Sequence, residues 1–472
     1  MSRPRTPREV ALDVLIAVIE NDAYANLLLP KRLAAAGLSG SDAAFATQLT
    51  HGTLRALGFY DWVIGEASGR SVRKIDAVAL GALRLGAHQL LDTRVATHAA
   101  VNETVNIVRR RAGRGPAGFV NANLRGIAKR DRAGWLALLE AKVADARERL
   151  AIEHAHPRWI VDALADALAR EGRGDELVAL LDADNAAPHV QLAALPGRAE
   201  RDELAVGDER LRAQPAAPTA LELEAGDPGK LAPVREHRAR VQDAGSQLVA
   251  LALTRAEPLR AGERLLDLCA GPGGKSALLA AEARVAGAEL AANEVTPARA
   301  GLVRQALEPL GDFEVTELDG RAFAERPGEF DRILVDAPCT GLGALRRRPE
   351  ARWRKEAGDV RELAALQAEL LAAALTATRP GGLVAYVTCS PHPAETTDVV
   401  AAVIAAGAAE ALDTRAICQA LAPELDLAEI RVGAGTAVQL WPHRHGTDAM
   451  FLTLLRTPRI DTTTSEKESA RV

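Results

Sequence analysis

Two cysteines mark where chemistry is expected. In "DAPCTG" (336–341) and "TCSPHP" (388–393), Cys339 and Cys389 each follow an apolar run that reads as a β-strand. A lone buried cysteine is usually a small apolar residue. Two at equivalent strand ends, one close to Asp336, suit covalent catalysis instead. A thiolate that adds to C6 of a pyrimidine turns the ring into an enamine, and C5 then attacks an electrophilic methyl group. Asp336 is suited to hold or donate a proton at N3. C5 must afterwards lose its proton and the thiol must leave, a step in which the second cysteine serves. The residues alone leave open which cysteine attacks. They also name no group that would lower the nucleophile below the ~8.5 of a free thiol.

A third stretch, "CAGPGGKS" (269–276), follows the apolar run "RLLDL". Gly274, Lys275 and Ser276 fit the end of an ATPase phosphate loop, but Cys269 stands where its first glycine belongs. Glu294 lies about 20 residues on, at the end of the next strand, where a carboxylate holds the two hydroxyls of a ribose. An adenosine pocket needs that acid and a phosphate loop does not. The stretch therefore reads as a pocket for an adenosine-containing cofactor without a polyphosphate.

These loops need a sheet to hold them. From about residue 241 strands alternate with helices: "RLLDLCA", "AELAANEV", "FEVTELD", "RILVDAP" and "GLVAYVTCS" are the candidate strands. Such alternation predicts a parallel sheet with helices on both faces, and ligands bind at the carboxyl edge of such sheets. "TAVQLWPH" and "AMFLTLL" suit an antiparallel edge. Residues 7 to about 130 read as helices only, with "IDAVALGALRLGAHQLL" apolar enough to be central. The expected organisation is an all-helical bundle over 1–135, a helical linker and small α+β module over 136–240, an α/β domain over 241–457 and a disordered tail over 458–472.

Composition sets the outer limits. The chain has 472 residues, 48% of them apolar and 3% aromatic, so its cores are built from Ala, Leu and Val. A net charge of −5 argues against a uniformly basic nucleic-acid binder. No signal peptide or membrane span is expected. The four cysteines form no CxxC pair, so neither a disulfide scaffold nor a structural metal site is expected, and a reducing cytoplasm fits.

The stretches "VQDAGSQL", "LLDLCAGPGGKS", "ELDGRAF", "ILVDAPCTGLGALRRRPEARW" and "VTCSPHPAE" together resemble the S-adenosylmethionine-dependent RNA cytosine-C5 methyltransferases, and among them the bacterial RsmB (Sun/Fmu) enzymes of 16S ribosomal RNA. "SDAAFATQLTHGTLR", "LRLGAHQLL", "HAAVNETVNIVRR" and "GFVNANLR" look like the NusB-type RNA-binding domain fused to those enzymes. The resemblance implies a Rossmann-like catalytic domain and S-adenosyl-L-methionine as cofactor. It implies a 16S ribosomal RNA substrate, free or in an early small-subunit assembly intermediate, with no part for DNA or a membrane. It makes Cys389 the nucleophile and Cys339 the group that aids product release. Cofactor contacts map to Cys269, Ala270, Gly271, Pro272, Gly273, Gly274 and Lys275, to Glu294 at the ribose, to Asp319 near the adenine and to Asp336. Gly271 stands where Ala is common in the family, and Ala394 where an acid is frequent.

Basic residues cluster in two runs. Arg109, Arg110, Arg111 and Arg114 end a helix of the N-terminal region, and Arg346, Arg347 and Arg348 follow Cys339. Both runs are expected to neutralise RNA phosphates. A target base must be single-stranded or flipped out to reach Cys389.

Overall fold

The computed structural model describes residues 5–459 and divides into two compact units. Of the tail expected over 458–472, residues 460–472 lie outside the described residues. The first unit comprises the chain to Ala165, with Asp175–Ala187 and Leu345–Lys355; the second comprises Asp166–Gly174, Pro188–Ala344 and the chain from Glu356 onward. The span 136–240 is thus shared between the units, and one short segment following Cys339 belongs to the first.

The first unit is helical. Its first helix, Pro7–Glu20, starts with a capping box: Glu9 N–H donates to Thr6 Oγ1 at 3.3 Å, and Thr6 N–H donates to Glu9 Oε2 at 2.9 Å. Val10, Ala11, Val14, Leu15 and Val18 share its buried face. The helix Ala77–Leu91, capped by Asp76, buries ten of its residues, as a central helix must. Gly86 on it lets Leu124 approach so closely that a Cβ there would lie 2.5 Å from the leucine side chain. Helices Ala25–Ala36 and Leu57–Ser68 were not separable in the sequence. The first carries Pro30 in its interior, and the second is set off from its predecessor only by a non-helical Ala56.

The second unit opens with a small antiparallel sheet of β1 (Val190–Ala194), β2 (Leu211–Ala213), β3 (Ala220–Leu223) and β4 (Ala239–Val241), in the order β2-β3-β1-β4. The large sheet follows: β5 (Arg264–Asp267), β6 (Glu289–Asn293), β7 (Glu314–Thr316), β8 (Phe330–Asp336), β9 (Thr378–Thr388), β10 (Glu410–Ala411), β11 (Ile430–Val432), β12 (Gly435–Gln439) and β13 (Phe451–Arg456). Its order is β11-β12-β13-β9-β8-β5-β6-β7, with β10 paired to β13. The pairs among β5 to β9 are parallel and β13 and β12 add antiparallel neighbours, as the sequence predicted; β11, a further antiparallel strand, was not expected.

Alternate residues of the central strands enter different apolar clusters. Leu265, Leu334 and Ala385 pack on one face with Leu248, Ala277 and Val303; Leu266, Ile333 and Val384 pack on the other with Leu371, Ala374 and Val400. Burial on both faces is why these strands read as unbroken apolar runs. The order of strands reverses between β5 and β8, and the crevice outside their carboxyl ends is where an open α/β sheet binds ligands. No described helix is long and apolar enough to cross a membrane.

Candidate active site

The loop after β5 is shaped by two glycines. Gly273 has φ +96°, and a Cβ there would lie 2.7 Å from Ala306. A Cβ on Gly271 would come within 2.2 Å of Glu294 Oε2 and 2.8 Å of Arg299 Nε. A side chain at 271 would therefore require the ends of Glu294 and Arg299 to shift. Glu294, at the end of β6, is 3% exposed; its Oε2 accepts Gly271 N–H at 3.1 Å and its Oε1 accepts Thr296 N–H at 3.0 Å. Two backbone donors and the nearby Arg299 guanidinium, 3.5 Å away, hold this carboxylate at the rim of the loop. The glycine cradle beside a fixed acid fits S-adenosylmethionine, whose ribose hydroxyls Glu294 could accept.

At the loop's far end Lys275 turns to chemistry that its sequence position did not reveal. Its Nζ lies 2.8 Å from Asp336 Oδ2, and both groups are largely buried. Asp336 ends β8 and pairs in register with Val387 of β9. Because the two strands are parallel and adjacent, the residues just beyond their ends converge. Cys339 Sγ and Cys389 Sγ lie 3.4 Å apart.

The two thiols are not equivalent. The Cys339 S–H offered to Cys389 lowers the Cys389 pKa from the usual thiol value, against the opposing effect of burial, and the Lys275 ammonium adds to the lowering. Cys339, on the donating side of that bond and also buried, is pushed well above the usual thiol value. Of the two sulfurs, Cys389 is therefore the one on which negative charge is the more favoured. Cys269, close to Asp267, Asp336 and Glu294, is pushed up chiefly by burial, and burial pushes Cys418 up to about 12.

Alkylation by iodoacetamide reads this order directly. Thiolate, not thiol, reacts, and its fraction rises with pH, so a lowered pKa moves the reactivity profile to lower pH. Cys389 is expected to label first at pH 7, and Cys418, which has no exposed surface, last. Lys275→Met removes a cation and leaves Asp336 unpaired, so the Cys389 profile shifts to higher pH. Its rate at pH 7 should fall about tenfold, the equivalent of one pKa unit. An unchanged profile would mean that Lys275 does not act on the sulfur.

A residue that sequence reading passed over holds the two cysteine loops together. Glu395 has no exposed surface. It accepts from Thr340 N–H at 2.7 Å, Thr340 Oγ1 at 2.5 Å, Ser390 Oγ at 2.6 Å and Gln367 Nε2 at 3.2 Å. Thr340 follows Cys339 and Ser390 follows Cys389, so one carboxylate fixes both neighbours of the sulfur pair. Gln367 also donates to Pro338 O at 2.8 Å, and Tyr386 Oη donates to Glu395 O at 2.8 Å. On the other side Gly343 N–H donates to Cys389 O at 2.8 Å, and a Cβ on Gly343 would meet Ala449 O at 2.0 Å. The only prior signal for Glu395 was its acid type next to Ala394.

The remaining expected residues lie apart from this centre. Asp319 sits beyond β7, exposed, with Arg321 guanidinium hydrogen bonds that lower its pKa to about 2. Arg109, Arg110, Arg111 and Arg114 are exposed on the helical unit; Arg110 pairs with Glu9 at 2.7 Å and Arg111 with Asp13 at 2.6 Å. Arg346 is 7% exposed, Arg347 half-buried and Arg348 exposed.

The chain resembles known proteins along most of its length. Residues 255–456 match the family described as 16S rRNA methyltransferase RsmB/F, and residues 5–129 match the NusB family. The putative methyltransferase Rv1407 of Mycobacterium tuberculosis is 52% identical over 96% of this chain and 97% of its own length. The probable ribosomal RNA small subunit methyltransferase B of Bacillus subtilis is 30% identical over 95% of this chain and 98% of its own. The crystal structure of PH0851 shares the fold with a TM-score of 0.78, at 21% identity, over 96% of this chain and 99% of that one. Similarity of this extent, along nearly the whole of both chains, decides the assignment: the chain belongs to the 16S rRNA methyltransferase RsmB/F family, and it is an RNA methyltransferase whose cofactor is S-adenosylmethionine.

Proposed function

We propose that this enzyme methylates C5 of a cytosine in 16S ribosomal RNA, in the cytoplasm, through a covalent bond between Cys389 Sγ and C6. The observation that carries the proposal is the pair of sulfurs 3.4 Å apart, with the negative charge favoured on Cys389. In the first step the Cys389 thiolate adds to C6, and the charge that passes to the ring is neutralised by a proton that Asp336 passes to N3. Asp336, oriented by Lys275, is the group that holds that N3–H. The cofactor, when bound, supplies an electrophilic methyl group to the enamine carbon C5.

Release needs a base. Once Cys389 is bonded to carbon it no longer bears charge, and Cys339 is freed from the neighbour that kept it protonated. Cys339 then loses its proton to water and takes the proton from C5. The C5–C6 double bond reforms, the C6–S bond breaks, and Cys389 leaves as the thiolate it began as. The N3 proton returns to Asp336.

Incubation with 16S rRNA and methyl-labelled cofactor, followed by nucleoside analysis, tests this reading. The label is expected in 5-methylcytidine. Label in any other nucleoside, or none with either free RNA or immature small subunits, would overturn it.

A further inference from the structure

The helical unit contains a cavity of about 380 Å³ that the chemistry at the sheet edge does not use. Sites for small molecules commonly span roughly 300–1,000 Å³. Val18, Ile19, Leu54 and Leu57 give it an apolar wall, and Glu350 and Trp353 complete it. All of these belong to the first unit.

Glu350 is 4% exposed and incompletely bonded. Its Oε1 accepts Ala25 N–H at 3.2 Å, while Oε2 is buried with no hydrogen-bond partner among the described residues. A buried acceptor without a donor is costly and rare in native proteins. The cavity that Glu350 lines is a place from which the missing donor can come. Trp353 is a platform of the right kind beside it. Its ring lies so close to Gly58 that a Cβ there would come within 2.5 Å, yet 40% of the residue is exposed. Tyr24, 46% exposed, carries the Arg354 and Arg348 guanidinium groups 5.0 and 5.8 Å from its ring centre. Arg354 is fixed by the carbonyls of Val18 and Ala23, at 3.0 and 2.6 Å.

The charges decide what enters. Arg73, Arg84 and Arg354 in the wall are matched by Asp22, Asp61 and Glu350, and Asp61 and Arg84 bind each other at 2.6 and 2.7 Å. A balanced interior does not favour a phosphate. It suits a flat heterocycle with hydrogen-bond donors, while exposed Arg73, Lys74 and Arg348 offer cations for a backbone outside.

We propose that this cavity holds one unstacked, amine-bearing base of the RNA substrate, stacked on Trp353 with its amine donated to Glu350. Stacking on aromatic side chains with hydrogen bonds to the base edge is how single-stranded RNA is read. The inference rests on RNA being the substrate and is independent of which atom is methylated.

Full-length protein cross-linked by light to 16S rRNA carrying 6-thioguanosine, which keeps its exocyclic amine, provides the test. Mass spectrometry should place the link at Trp353, at Tyr24 or within residues 345–355; links elsewhere only would overturn the proposal. Glu350→Gln and Trp353→Ala should each weaken the RNA Kd by about tenfold. Oligo(C) and oligo(A) should compete better than oligo(U). Unchanged Kd in both variants, or equal competition by oligo(U), sinks it. If a melting curve shows that a variant is unfolded, the cross-link on unaltered protein decides. Failure of the cytosine reading would appear as absent 5-methylcytidine with the cross-link intact, and failure of the pocket as the reverse.

Discussion

Cys389→Ser is expected to lower methyl transfer by at least ~10³-fold and to form no covalent complex with RNA, whereas Cys339→Ala is expected to trap one. The serine hydroxyl is the same shape but holds its proton far more tightly than a thiol, so no anion is available to add to C6. Cys339→Ala leaves the nucleophile and removes the base for the last step. The RNA then stays joined to Cys389, and a denaturing gel with labelled RNA shows a shifted band that depends on the cofactor. The structure adds a second effect. Cys339 also donates its S–H to Cys389, so its loss raises the Cys389 pKa. The adduct should therefore form slowly at pH 7 and faster as pH rises. A shifted band with Cys389→Ser and none with Cys339→Ala would exchange the two roles.

Glu395→Ala is expected to disable the enzyme from a position that touches no reactant. Thr340 N–H loses its acceptor, and Thr340 Oγ1, Ser390 Oγ and Gln367 Nε2 each lose one. The two hydroxyls, 3.1 Å apart, can bond each other, and Gln367 keeps Pro338 O. The buried Thr340 amide has no such alternative. One unsatisfied buried donor costs about 1–3 kcal/mol, and the cavity adds to it. We expect a melting temperature lower by about 5–10 °C. Because the loops flanking both sulfurs lose their common anchor, kcat should fall about 100-fold with little change in KM. The Cys389 alkylation profile should move to higher pH as the Cys339 thiol loses its place. Glu395→Gln keeps the volume and one acceptor and should recover part of both. A stable variant with wild-type kcat would refute the clamp.

Much of this site was legible in the sequence because its parts sit at the ends of apolar strands. Asp336, Cys339 and Cys389 stand out once β8 and β9 are recognised as neighbours, and Glu294 follows from its distance to the glycine turn. Lys275 was visible as a residue but not as a partner of Asp336, since only the crossing of loop and strand end brings 275 to 336. Glu395 lies within a motif but nothing in that motif marks its role, which comes from four donors in three stretches of chain. The arginines after Cys339 were harder still. Charge suggests solvent, yet Arg352 has no exposed surface. Its Nη1 donates to Ala155 O at 3.0 Å and Asn185 Oδ1 at 2.9 Å, and burial lowers its pKa to about 10. A cation sinks into protein when carbonyls converge on it, and convergence is a property of the fold.

That buried guanidinium bears on how the protein can be cut. Leu345–Lys355 is encoded in the middle of the catalytic half but folds with the helices. No single break in the gene separates the two units cleanly. A fragment ending near residue 165 leaves Asn185 and the cation that bonds it on the discarded piece, and the complementary fragment retains an arginine stripped of the carbonyls of Arg55, His154 and Ala155. Anyone transplanting the helical half onto another enzyme would have to carry along eleven residues from far downstream, as an inserted graft and not as a fusion end to end.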